Sequence, residues 1–81
     1  MRLDKFLKES RLLKRRTVAN ELCDAGKVLV NGRASRASRE VAEGDIIEIT
    51  LGQRTIKARV LSAEAPKNKD GQKAMSEIIN N

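Results

Sequence analysis

The sequence predicts an α+β fold in which two short N-terminal helices pack on a small twisted sheet, antiparallel or mixed. Three observations predict it. Apolar residues recur at helical spacing up to about residue 25. From Val28 onward they run instead as short β-branched or alternating stretches. Turn signals, Asn31-Gly32 and Glu43-Gly44-Asp45, separate those stretches.

Leu3, Phe6 and Leu7 stand at i, i+3, i+4, which predicts a helix from about Leu3 to Ser10, with Arg2, Lys5, Lys8 and Glu9 off the stripe. Leu12 and Leu13 bridge to a second helix from about Arg15 to Ala25. Its apolar face is Val18, Ala19, Leu22 and Cys23, and Gly26 follows as a C-terminal cap. Val28 to Val30 reads as a strand entering a two-residue type I′ turn at Asn31-Gly32. Ile46 to Leu51 reads as a strand with Ile47, Ile49 and Leu51 on one face. A turn at Gly52-Gln53 leads to another strand, in which Ile56, Ala58 and Val60 alternate with Lys57 and Arg59. Pro66 ends the compact part, and Lys67 to Lys73 has linker composition. The expected division is a domain over 1–65 and a polar, flexible tail over 66–81. The last residues could form a turn or two of amphipathic helix, through Met75, Ile78 and Ile79, too short to be stable alone; docking on the body, folding on a partner and fraying stay open, with partial disorder in the free protein the expectation.

The chain has 81 residues and a formal charge of +6, with an isoelectric point near 10.0. One small domain fits that length, with no room for separate cofactor and substrate domains. The charge is localised. Residues 1–40 hold 11 Lys and Arg against 5 Asp and Glu, whereas residues 41–81 hold 6 of each. A one-sided cationic excess points to a polyanionic partner. The single Cys23 excludes an internal disulfide framework and reads as a core residue. Charged residues follow Met1 at once and no apolar run approaches 20 residues, so neither a signal peptide nor a membrane partner is expected, and the cytoplasm is the expected compartment.

Catalytic chemistry finds no purchase in these residue types. There is no His, and one Cys cannot build a zinc cluster. The five glycines are scattered over 26, 32, 44, 52 and 71, which is no phosphate loop. Glu43 and Asp45 flank Gly44 as turn residues rather than as a general acid and base. The serines have no base near them in sequence. The chain is expected not to be an enzyme and to need no metal or cofactor. Phe6 is its only aromatic residue and belongs to the core, so stacking on single-stranded bases is excluded. Phosphates and groove edges of a folded nucleic acid remain.

The cations that suit this role begin at Lys14, Arg15 and Arg16, at the mouth of the second helix. Positive charge is disfavoured there unless an external anion is bound. Arg16 and Asn20 lie one turn apart and form a polar ridge. Guanidinium forks match phosphate oxygens in two-point contacts. The plain alternative is a solvated face with Glu21 and Asp24 as local partners. Arg2, Lys5 and Lys8 extend the patch if the helices pack side by side. Arg33, Arg36 and Arg39 either line an edge of the same groove or are solvated loop cations. Lys67, Lys69 and Lys73 read as solubilising.

Four motifs in fixed order carry a resemblance: Arg-Leu-Asp-Lys-Phe-Leu at 2–7, Arg16-x-x-Ala19, Gly-Lys-Val-Leu-Val-Asn-Gly at 26–32, and Glu-Gly-Asp-Ile-Ile-Glu-Ile at 43–49. Over about residues 1–50 the chain resembles the S-four RNA-binding domain, named for a protein of the small ribosomal subunit. The resemblance implies two helices against a small sheet, with an RNA-binding surface centred on the helix pair. The candidate set is Arg2, Lys5, Arg11, Lys14, Arg15, Arg16, Asn20, Lys27 and Asn31. Asn20 departs from the cation that the family often carries at its position.

The chain is most similar to small stand-alone members of that family: the heat-shock-fifteen group and, more closely, the RqcP group of bacterial ribosome quality-control factors. That likeness implies a monomeric, ribosome-associated factor. It would bind rRNA and tRNA on large subunits obstructed by peptidyl-tRNA and support C-terminal alanine tailing with RqcH. The alternatives are a heat-shock-type recycling factor, a protein adaptor with a basic face, and a detached module of an RNA-modifying enzyme.

Overall fold

The computed structural model describes residues 1–62 and 76–79. Two helices, α1 (Leu3–Glu9) and α2 (Arg16–Asp24), precede five strands: β1 (Val28–Val30), β2 (Arg33–Ala34), β3 (Ile46–Leu51), β4 (Arg54–Val60) and β5 (Ser76–Ile78). The strands form one sheet in the order β2-β1-β3-β4-β5, with every pairing antiparallel.

Register places the apolar residues on one face. Val28, Ile49 and Ile56 lie side by side across β1, β3 and β4, and Val30, Ile47 and Ala58 form the neighbouring row. Leu3, Phe6 and Leu7 of α1 and Ala19 and Cys23 of α2 pack with this face in a single core cluster. Phe6, Leu3 and Leu7 are wholly buried. Truncating Phe6 to Ala would cost about 3–5 kcal/mol, most of what a domain this small can spare. In α2 the buried stripe is narrower than the sequence suggests. Ala19 and Cys23 face the core, Leu22 is half-buried, and Val18 is 36% exposed, because the i, i+4 pair defines the contact line and residue 18 is rotated off it.

Local signals act as their chemistry requires. Gly26, at φ +73°, ends α2 in a Schellman turn: Lys27 N–H donates to the Leu22 carbonyl and Gly26 N–H to that of Cys23. Asn31 (φ 53°) and Gly32 (φ 83°) form the type I′ turn of the β1–β2 hairpin. Unlike α2, α1 is capped by a distant segment. Leu3 N–H donates to the Arg39 carbonyl at 2.7 Å and Asp4 N–H to that of Ala37 at 3.1 Å. These bonds satisfy donors that a helix start leaves open.

The C-terminal end differs from the expectation. Residues 76–78 are a strand, not a helical turn, with Ala58 opposite Ile78 and Val60 opposite Ser76. Three residues are too few for a helix to nucleate, while the free edge of β4 offers ready backbone partners. The remainder of the expected tail, including Pro66, the linker run with Lys67, Lys69 and Lys73, and Met75, lies outside the described residues.

Candidate nucleic-acid interface

The centre of the helix pair is a buried carboxylate. Asp4, in the first turn of α1, is 1% exposed. Arg16 Nε donates to its Oδ2 at 3.1 Å, Asn20 Nδ2 donates to the same oxygen at 3.1 Å, and the Lys5 backbone N–H donates to Oδ1 at 2.8 Å. Arg2 closes the cluster with Nε 3.3 Å from Oδ1. Burial by itself raises the pKa of Asp4. The bonds from Arg16, Lys5 and Asn20, with the Arg16 charge, outweigh it and hold the carboxyl below its ordinary value. A buried charge is tolerated when it is paired and hydrogen-bonded in this way.

This cluster brings Arg2, Arg16 and Asn20 together as the sequence suggests, but through an acid that the sequence reading left unassigned. Asp4 lay hidden because helical periodicity places it beside Leu3, where an acid reads as a first-turn dipole partner. Glu21 and Asp24 do not pair with Lys14, Arg15 or Arg16 among the described residues. Arg16 is therefore partly committed to the fold. Its side chain is still 47% exposed, and only Nε is used on Asp4.

Lys14 and Arg15 are exposed and have no carboxylate within 4 Å among the described residues. Arg15 is the extended N-cap of α2, which has no side-chain cap and no acidic residue in its first turn. Arg11 is exposed and held at φ 64°, in the left-handed region, just past the end of α1. Lys5 and Lys8 are exposed on α1, and Lys27 is exposed after α2.

Asn31 serves the fold first. Its Nδ2 donates to Asp45 Oδ1 at 3.1 Å and its Oδ1 accepts from Ile46 N–H at 3.0 Å, so the hairpin turn is fastened to the start of β3. Arg36 was not in the candidate set, yet it faces the same depression as Arg2 and Asn20. Of the two readings the sequence left open for Arg36, a groove edge or a solvated loop cation, it takes the first, although 34 positions separate it from Arg2. Arg33 sits on the edge strand β2 and does not line that depression.

Fold and face define a class: a small α+β module with a cluster of exposed cations on and around its helix pair. No group of His, Cys, Asp and Glu suited to a metal occurs among the described residues. No helix among them is long and apolar enough to cross a membrane.

Comparison narrows the class. The S4 domain family model matches residues 1–47. An RQC P-site tRNA stabilizing factor of Halalkalibacterium halodurans is 41% identical over 78 residues, 96% of this chain and 89% of that protein. One from Bacillus subtilis is 48% identical over 60 residues, 74% of this chain and 70% of that protein. The structure of Vibrio cholerae heat shock protein 15 superposes with a TM-score of 0.82 at 24% identity, covering 98% of this chain and 81% of that one, a likeness of fold. The chain belongs to the S4 domain family and groups within it with the RQC P-site tRNA stabilizing factors.

Proposed function

We propose that this chain is a ribosome-associated RNA-binding factor that contacts rRNA and tRNA on large subunits obstructed by peptidyl-tRNA. In that role it supports alanine tailing by RqcH. The observation that carries the reading is the similarity, 41–42% identity over 96–98% of this chain, to proteins named for stabilizing the P-site tRNA. The physical counterpart is the exposed Lys14-Arg15-Arg16 corner, whose first two cations have no acidic partner among the described residues. The protein acts without chemistry of its own, as a wedge that fixes RNA backbones in register. On this reading it acts as a monomer in the cytoplasm.

The test is co-sedimentation with purified large subunits carrying peptidyl-tRNA. The double variant Lys14→Glu with Arg15→Glu is expected to lose co-sedimentation while keeping its circular dichroism spectrum. Binding of the parent chain is expected to fall steeply with salt, because each neutralised phosphate releases counterions. Retained binding by the double variant, or a flat salt response, overturns the reading. A complex that survives ribonuclease indicates the adaptor alternative instead.

A further inference from the structure

An open cleft of about 490 Å³ lies between Arg2 before α1, Asn20 and Asp24 on α2, and Arg36 in the loop after β2, with Cys23 and Ala37 also lining it. Two of its walls are anchored, one through side chains and one through backbone. Asp4 holds Arg2 and Asn20 on one side through the contacts at 3.3 and 3.1 Å. The loop bearing Arg36 is fastened to α1 by the Asp4 N–H bond to the Ala37 carbonyl and the Leu3 N–H bond to that of Arg39. It is closed on itself by the Arg39 N–H bond to the Arg36 carbonyl at 3.0 Å. Arg36 is exposed and has no carboxylate within 4 Å among the described residues.

The cleft is not purely cationic. Asp24 is the last residue of α2, where the helix dipole disfavours an anion, and no cation lies within 4 Å of it among the described residues. Asn20 spends its Nδ2 on Asp4 and on the Arg16 carbonyl, and its Oδ1 accepts no hydrogen bond among the described residues. A bare phosphate would meet repulsion at Asp24, and an acidic peptide would meet the same. A ribose–phosphate unit carries both an anion for Arg36 and a hydroxyl donor for a carboxylate. The 2′-hydroxyl is also the group that separates RNA from DNA.

We infer that this cleft holds one ribose–phosphate unit of RNA, the phosphate taken by Arg36 and the 2′-hydroxyl donating to Asp24. The inference rests on the RNA-binding reading above and deepens it. It extends the contact surface from the Lys14–Arg16 corner across Asp4 to the loop after β2, and it gives the surface a preference for ribose.

The experiment titrates the full chain against a fluorescent tRNA transcript and a DNA strand of the same sequence, at two salt concentrations. Arg36→Gln and Asp24→Asn alter exposed side chains that make no ion pair among the described residues, and circular dichroism verifies that each variant folds. Arg36→Gln is expected to weaken both ligands by about tenfold and to lower the salt slope by about one phosphate contact. Asp24→Asn is expected to leave DNA binding as it was or slightly tighter, and to shrink the RNA-to-DNA affinity ratio by about fivefold. An unchanged affinity for Arg36→Gln, or an unchanged ratio for Asp24→Asn, overturns the inference. If the parent chain binds no RNA, the RNA-binding reading falls and this inference with it. If binding is lost in the Lys14 and Arg15 double variant but untouched in both cleft variants, this inference alone falls.

Discussion

Arg16 reaches from the first turn of α2 into the first turn of α1, its Nε 3.1 Å from Oδ2 of the buried Asp4. The pair joins the two helices beside the exposed Lys14 and Arg15. One carboxylate thereby orients three cation- or amide-bearing side chains, because Arg2 and Asn20 share it.

Replacing Asp4 by Ala is expected to lower stability by about 1–3 kcal/mol. Charge-assisted bonds to a buried acid are lost, and the figure is discounted because Arg2 and Arg16 are each about half exposed. Urea unfolding followed by circular dichroism measures this, the chain having no Trp or Tyr for fluorescence. Asp4→Asn, which keeps the shape, is expected to cost less. Arg16→Ala is expected to lose stability as well as RNA affinity, which makes Lys14 and Arg15 the better reporters of binding alone.

Acid stability follows from the same carboxyl. With the folded pKa of Asp4 lowered, the unfolded chain binds the proton first. The stabilisation is therefore complete above the unfolded carboxylate value of about 4 and is lost as the pH falls through the lower folded value. Urea midpoints measured between about pH 6 and pH 2 are expected to drop more steeply for the parent chain than for Asp4→Asn. Parallel curves would contradict the assignment.

At the alkaline end the sign reverses. Burial, then the charges of Asp4 and Asp24, push the Cys23 thiol up to about 11. Its contribution is complete below the unfolded thiol value of about 8.5 and declines as pH rises toward the folded value. Cys23→Ala is expected to remove that alkaline decline. In the folded chain at neutral pH, labelling by a thiol reagent is expected to be slow and to accelerate with urea, since it requires opening.

Arg11 supplies a test that separates strain from binding. A non-glycine residue at φ 64° costs on the order of 1 kcal/mol. Arg11→Gly is expected to be at least as stable as the parent chain. If the cation contacts RNA, the same variant binds tRNA more weakly. A loss of stability in Arg11→Gly would show that the Arg side chain supports the fold.

Much of the fold was legible because its signals are local. The i, i+3, i+4 stripe of Leu3, Phe6 and Leu7, the glycine after α2 and Asn31-Gly32 each encode a backbone geometry within a few residues. The site was legible only in part. Lys14, Arg15 and Arg16 announce themselves by crowding at a helix start. The acid that Arg16 meets and the cleft that Arg36 shares with Arg2 and Asn20 depend on segments distant in sequence. The same holds for β5, three residues whose conformation is set by the edge of β4 rather than by their own pattern. Val18 shows the converse limit: a periodic pattern gives a face, not how far that face is covered.

The bonds from Leu3 and Asp4 to the carbonyls of Arg39 and Ala37 set an order of events during synthesis. The first helix to leave the ribosome acquires its cap only after the segment through residue 39 has followed it. Its acidic residue likewise waits for Arg16 and Asn20. A nascent chain cut before residue 37 would hold Asp4, Arg16 and Asn20 but leave the first turn of α1 uncapped, so the helix that carries the carboxylate is fastened last.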